Sequence, residues 1–420
     1  MESLYEAIIV GGGPAGASTA ILLAQAGWSV AIVEKQRFPR RKVCGECIAA
    51  TNLPLLDALG VSAAFADLAG PELRRVGLFA GERIFTADLP RFGDGPYTWG
   101  RALGREYLDE LLLQRAMEAG ACLWQPWVAR EIGCDSGRYL CRIRSLDSDE
   151  YRALAAPILI AAHGSWEPGP WASSRAHRRP GDLFAFKANF LDCDLDPGLL
   201  PVLAFPGGYG GMVAADHGRV TMACCIRRDV LRECQGRQPR VKAAECVQEY
   251  LEESCLGVRR VLSGAKREGL WLSVGPIRPG IRTPWRKDGV FAAGNAAGEA
   301  HPIIGEGISM AIQAACLLCE QLISRRAELL SGRAMPIVGQ EYAIRWRKSF
   351  GARIRAAALL AHLAMRPGRA GPLLPLLQRW PVILTRAARL SGKVQPLITP
   401  ATAARKLESG PGHPHTGGPR

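Results

Sequence analysis

The stretch Glu6-Ala7-Ile8-Ile9-Val10-Gly11-Gly12-Gly13-Pro14-Ala15-Gly16 decides the fold of this chain. A short apolar run leads straight into a glycine turn, and the helix-compatible segment ASTAILLAQAG follows from Ala17. Strand, turn and helix in that order form the dinucleotide-binding pattern in the context it requires. Each glycine has its own expected task. Gly11 permits the tight turn, Gly13 lets the backbone approach a pyrophosphate, and Gly16 lets the helix pack close to the strand. Phosphate oxygens would then sit on unpaired N–H groups at a helix start, where the dipole favours negative charge. Further out, Ser29-Val30-Ala31-Ile32-Val33 reads as a second strand ending at Glu34, placed to hold a ribose hydroxyl.

The rest of the composition is that of a globular protein. With 420 residues, 48% of them apolar and 22% charged, the chain suits two or three domains. Its first apolar run is the nucleotide-binding strand itself, so no leader segment is expected. The longest uncharged stretch of the C-terminal part, Val394 to Ala404, has eleven residues, against the roughly 20 that cross a bilayer. Thirteen cysteines lie scattered without a framework, which points to reduced thiols and a cytoplasmic location. The pairs Cys44/Cys47 and Cys316/Cys319 lack partners at zinc-finger spacing, so no metal site is expected. The net charge of +14 is local: between Tyr342 and Leu407 there are thirteen Lys and Arg and no Asp or Glu. The basic character belongs to a C-terminal module.

Along the chain, Gly104 to Ala119 carries apolar residues at helical spacing, and Pro157 to Ala162 is a continuous apolar run suited to a buried parallel strand. Short strands with Gly turns fill 183–226 and predict an antiparallel sheet, followed by a helix near 239–255. These readings divide the chain into a discontinuous nucleotide-binding domain (1–75, 100–165 and 275–330) and a substrate-binding sheet domain (76–99 and 166–274). A basic helical segment (331–407) and a disordered Pro/Gly-rich tail (408–420) complete it.

At 289–314 the chain returns to its opening pattern, with a buried strand, Gly294-Asn295, Pro302, and Gly305-Glu306-Gly307 opening a helix. In these residues it resembles the flavoprotein superfamily of aromatic hydroxylases, geranylgeranyl reductases and flavin-dependent halogenases. The resemblance extends to the loop Arg41-Lys42-Val43-Cys44-Gly45-Glu46, to Arg105-Glu106-Tyr107-Leu108-Asp109, and to Tyr342, Trp346, Phe350 and Arg353. It implies an α/β fold of glutathione-reductase type in a p-hydroxybenzoate-hydroxylase-like arrangement. A Rossmann-like FAD-binding domain would be interrupted by an antiparallel-sheet substrate domain and followed by C-terminal helices. It also implies FAD as cofactor and NAD(P)H as reductant. The cofactor would be held by Ala15, Glu34, Cys44, Gly45, Cys47, Arg105, Val128, Asn295, Gly307 and Ile308, together with Gly11, Gly13, Gly16, Gly294, Pro302 and Gly305. Cys44, beside the flavin, is the candidate catalytic residue. The chain departs from the superfamily where Asn295 replaces an Asp and where His163-Gly164 replaces an Asp-Gly. The halogenase W-x-W-x-I-P signature is absent, and Gly208-Tyr209-Gly210-Gly211-Met212 only faintly echoes the reductase Y-x-W-x-F-P strand.

The substrate pocket is expected between the flavin face and the 183–226 sheet, lined by Phe184, Phe186, Phe205, Tyr209 and Met212. Strand alternation turns Phe184, Phe186 and Phe190 to one side, either toward an apolar ligand or into a core. In the basic segment, Leu377, Trp380, Leu384 and Ala388 share one helical face, with Arg379, Arg386 and Arg389 on another. Three roles fit: a helical cap whose apolar face covers the active site with its arginines solvated, a helix at the inner face of a membrane, or a dock through 342–407 for an acyl-carrier protein. Nucleic-acid binding is not expected. These features predict an FAD-dependent monooxygenase that hydroxylates an aromatic or polyketide-like apolar substrate with NAD(P)H and O₂. A geranylgeranyl-reductase-like enzyme saturating isoprenoid double bonds is the alternative, and a flavin-binding subunit without turnover is a third.

Overall fold

The computed structural model describes residues 2–165, 179–237, 239–370 and 382–388. Its organising element is a five-stranded parallel sheet in the order Phe291–Ala292, Ile158–Ala161, Ala7–Val10, Val30–Val33, Cys122–Trp124. Ala7–Val10, Val30–Val33 and Ile158–Ala161 are buried along their whole length. That burial is why their runs are continuously apolar rather than alternating. Helix Pro14–Gln25 follows the central strand and packs on this sheet beside helix Gly307–Ser324. The second of these helices is long and apolar enough to cross a membrane, but 78% of it is buried inside the protein. Its apolarity serves the core.

A second sheet, Glu2–Leu4, Tyr151–Ala156, Arg138–Ser145 and Trp127–Asp135, flanks the first. The third has seven strands, in the order Lys266–Ile277, Leu183–Leu191, Val220–Arg227, Gly208–Ala214, Leu199–Phe205, Arg75–Ala80, Arg83–Asp88. This sheet is mixed rather than wholly antiparallel, because Leu199–Phe205 runs parallel to Arg75–Ala80. That pairing joins the segment around 76–99 to the strands beyond 183. Helices Arg228–Arg237, Ala243–Ser254 and Leu256–Val261 cover one face of the sheet and form a second core with it. The opposite face looks toward the nucleotide-binding turn.

Helix Met335–Ala364 closes the molecule. Val338, Tyr342, Trp346, Phe350, Ile354, Ala357 and Ala361 bury one of its stripes at helical spacing. The Tyr342 hydroxyl donates to the Ala292 carbonyl at 2.7 Å, tying this helix to the edge of the parallel sheet. Of the basic segment, Pro367–Ala370 and Val382–Ala388 are also helical. Leu377, Arg379, Trp380 and Arg389, and the tail 408–420, lie outside the described residues.

Candidate functional site

A cavity of about 700 Å³ extends from the glycine turn, between the parallel and mixed sheets, to the end of helix Met335–Ala364. Of the residues expected to hold a cofactor, every one except Gly16 lines it: Gly11, Gly13, Ala15, Glu34, Cys44, Gly45, Cys47, Arg105, Val128, Gly294, Asn295, Pro302, Gly305, Gly307 and Ile308. Gly16 sits behind the wall.

The glycines divide into two groups. A Cβ on Gly16 would lie 1.8 Å from the Gly11 carbonyl oxygen, and one on Gly11, at φ 110°, would lie 2.5 Å from that of Ala162. The fold itself demands both. A Cβ on Gly13 would meet nothing closer than the Arg105 and Arg40 guanidinium nitrogens at 3.9 Å, and on Gly45 or Gly307 it would meet nothing within 4 Å. No protein atom requires glycine at these three positions. Their missing side chains keep the cavity wall open to a close-lying ligand.

Two helices begin at this wall. Pro14–Gln25 starts after Gly13 and Gly307–Ser324 after Glu306, both without a side-chain cap and without an acid in the first turn. Their free N–H groups and dipoles favour an anion. Arg105, Arg40 and Lys42 surround the first of them. Arg105 is buried and holds Asp109 in a two-point ion pair of 2.6 and 2.7 Å. Burial disfavours its charge, but Asp109 more than compensates and raises the guanidinium above its usual range. Arg40 lies 3.6 Å from Asp109 and 4.0 Å from Glu34. Burial, reinforced by the like charges of Arg105 and Arg40, pulls the Lys42 ammonium down to about 8. Glu34 accepts the Gly12 N–H at 2.7 Å and the Gln36 N–H at 2.8 Å, latching the second strand to the turn. A carboxylate has acceptor positions beyond these two, so a ribose hydroxyl fits as well. Uncapped helix starts, three cations, an acid at the second strand and three open glycines suit the two ends of FAD.

The loop Lys42–Cys47 crosses the middle of the cavity. Cys44 is half-buried, and its sulfur accepts the Glu46 N–H at 3.3 Å. Glu46 adopts φ 58° and is buried. Its carboxylate takes the Lys187 ammonium, the Thr221 hydroxyl at 2.7 Å and the Arg105 N–H at 2.8 Å. Asp216 accepts the Gly104 N–H at 2.6 Å and pairs with Arg219. Both carboxylates sit at the N-terminus of helix Arg105–Glu118, where its dipole favours them. Glu46 thereby ties three elements together: the Cys44 loop, the Arg105 helix and the seven-stranded sheet.

The outer half of the cavity is aliphatic. Val76, Leu78, Leu200 and Val202 line it from the sheet, and Leu360, Leu363, Ala364 and Leu384 from the C-terminal helices; none of these carries a charge. Tyr209 also faces it, and its hydroxyl lies 2.9 Å from His301 Nδ1. Burial raises the Tyr209 hydroxyl well above its usual range and lowers His301 to about 4. The expectation for Phe184, Phe186 and Phe205 is corrected. They lie with Phe190 and Met212 on the opposite face of the sheet, in the second core. Phe205 meets Tyr250 edge-on at 6.1 Å, and the Arg228 guanidinium sits 5.3 Å from the Phe184 ring. Alternation puts such residues on a common side but does not say which side the helices will cover. Leu360 and Leu363 escaped sequence reading as lining residues, though they stand three apart on one helix, whereas Leu384 belongs to the apolar face expected of a cap over the site. His163 lies two residues beyond strand Ile158–Ala161, and burial, aided by Arg286, Arg282 and Lys42, lowers it to about 4. It is a neutral imidazole at neutral pH.

A family model described as FAD binding domain matches residues 5–353. Among curated proteins, the chain is 27% identical to digeranylgeranylglycerophospholipid reductase 2 of Methanothermobacter thermautotrophicus, covering 83% of this chain and 84% of that protein. It is 25% identical to menaquinone reductase of Mycolicibacterium smegmatis, over 94% and 93% of the two chains. A third relative, conditioned medium factor receptor 1 of Dictyostelium discoideum, is 24% identical over 93% of this chain and 74% of its own length. Among solved structures, flavin-dependent brominase Bmp2 superposes with a TM-score of 0.75 at 17% identity, over 97% and 98% of the chains. The p-nitrophenol 4-monooxygenase PnpA of Pseudomonas putida gives 0.70 at 17% identity, over 93% and 99%. These two likenesses are of fold.

Proposed function

The chain belongs to the FAD binding domain family of FAD-dependent oxidoreductases, and from that premise we propose that it reduces carbon–carbon double bonds of a long, isoprenoid-type apolar chain. The observation that carries this reading is the uncharged aliphatic lining of the outer cavity, which continues from Val76 and Leu200 to Leu360, Leu363 and Leu384. Such a wall desolvates a hydrocarbon chain along its length and offers nothing to a charged or hydroxyl-rich substrate. Two relatives aligned over most of their length are named as reductases of a geranylgeranyl lipid and of menaquinone.

When bound, FAD supplies the two-electron redox chemistry. The protein's part is to hold and orient. Gly13, Gly307 and the cations Arg40, Lys42 and Arg105 would bind the cofactor, Glu46 fixes the Cys44 loop, and the sheet face positions the substrate. Saturating a double bond also needs a proton. Tyr209 lines the cavity, and its hydroxyl lies beside His301. In this reading Tyr209 donates that proton, and His301 orients the hydroxyl as a neutral imidazole.

Hydroxylation is the second reading, and one feature favours it: the same Tyr209 hydroxyl in an otherwise apolar wall could anchor a phenol. The test uses purified, flavin-loaded protein given NAD(P)H or dithionite and a geranylgeranyl lipid or menaquinone without oxygen. A product heavier by two hydrogens per saturated bond is expected, and Tyr209→Phe should slow its formation by roughly 10²-fold or more while the substrate still binds. A product gaining one oxygen, formed only in air, would replace this reading with the monooxygenase one.

A further inference from the structure

The outer end of the cavity is rimmed by aliphatic side chains that face solvent. Leu360, Leu363 and Ala364 line the cavity from helix Met335–Ala364, and on that helix Leu359 is 62% exposed and Leu363 42% exposed. Across the opening, Leu384 lines the cavity from helix Val382–Ala388, whose Val382 is 52% exposed. The Thr385 hydroxyl donates to the Asp88 carbonyl at 2.8 Å and fixes this short helix on the end of strand Arg83–Asp88. Apolar surface thus runs from the cavity wall onto the outside of the protein. Exposed apolar surface continuous with a binding groove marks an interaction site.

Cations dominate the charges around this rim, with Asp88, beneath helix Val382–Ala388, an exposed acid beside them. Lys348 and Arg355 stand seven residues apart on the helix stripe that also carries Leu359, and Arg366 follows just beyond the helix end. Arg386 is exposed on the facing helix. No acid occurs in sequence between Tyr342 and Leu407 to offset them. Leucines flanked by cations on one helix face are suited to the boundary between acidic lipid headgroups and acyl chains.

We propose that the cavity mouth docks on a membrane surface rich in acidic lipids, so that an apolar chain enters from the bilayer without crossing water. This inference rests on reading the outer cavity as the site of an apolar substrate. Vesicle binding is measured without turnover, so the two can fail separately.

The test is flotation of full-length, flavin-loaded protein with phosphatidylcholine vesicles and with vesicles that also contain phosphatidylglycerol. The protein is expected to float with the acidic vesicles, and each of Arg355→Glu and Arg386→Glu should weaken partitioning roughly fivefold. Leu359→Asp and Val382→Asp should weaken it at least as much, with flavin content and circular dichroism unchanged. Three results would each overturn the proposal. They are recovery with phosphatidylcholine as efficient as with the acidic mixture, wild-type partitioning of Leu359→Asp, and no flotation on either vesicle while an acidic carrier protein is bound in solution.

Discussion

Gly13 and Gly16 stand three residues apart in one turn, yet the structure gives them different obligations. Gly16 serves the fold, because a Cβ there would sit 1.8 Å from a backbone oxygen, whereas a Cβ on Gly13 would have open space around it. Gly13→Val is therefore expected to yield a folded protein, with melting temperature close to that of the flavin-free wild type, that retains no FAD. Gly16→Val should fail to give soluble protein. Absorbance at the flavin bands together with circular dichroism separates the two, and a yellow Gly13→Val protein would refute the cofactor site. Lys42 adds a pH dependence. Its ammonium is lowered to about 8 in a site that would receive a pyrophosphate, and a bound anion would raise it. FAD affinity should then be full below pH 8 and fall as pH rises through 8, by up to about tenfold per pH unit. Titrations of FAD at several pH values check this, and Lys42→Met should flatten the profile.

At the scale of elements, the buried Glu46–Lys187 pair joins the Cys44 loop to the seven-stranded sheet across 141 residues of sequence. Such a pair is weak evidence for net stability, but breaking one side leaves an uncompensated buried charge. Lys187→Met is expected to destabilise the protein by about 3–5 kcal/mol. Adding Glu46→Gln should recover much of the loss, because it removes the stranded charge. Denaturant unfolding of the two single variants and the double variant measures the coupling, and independent additive effects would show that the pair is not a unit. If the loop position matters for chemistry, the double variant will remain slower than wild type even where its stability returns.

For the whole molecule, His163 and His301 are both lowered to about 4 by burial, below the 6.5 of a free imidazole. The unfolded chain therefore binds more protons than the folded one between these values. Stability is full above pH 6.5 and is lost as pH falls toward 4, by on the order of 1–3 kcal/mol for each histidine. Replacing either by Gln should shallow the acid limb of the stability curve, and an unchanged limb would remove that residue from the account. Much of the molecule was legible in the linear order of residues. The turn at 11–16, the acid at Glu34 and the second glycine cluster at 294–307 are local patterns. Each is written within about 30 residues, so the sequence alone could determine them, and through them the FAD-binding family. Other features depend on which surfaces meet. Strand alternation placed Phe184 and Phe186 on a common side, but only the packing of helices 228–261 decided that this side, with Met212 on it, is core and that Tyr209 looks onto the cavity. Glu46 found Lys187 and Asp216 found Gly104, because the chain folds back on itself over long separations. Periodicity encodes which residues share a face; only the tertiary structure decides what that face touches.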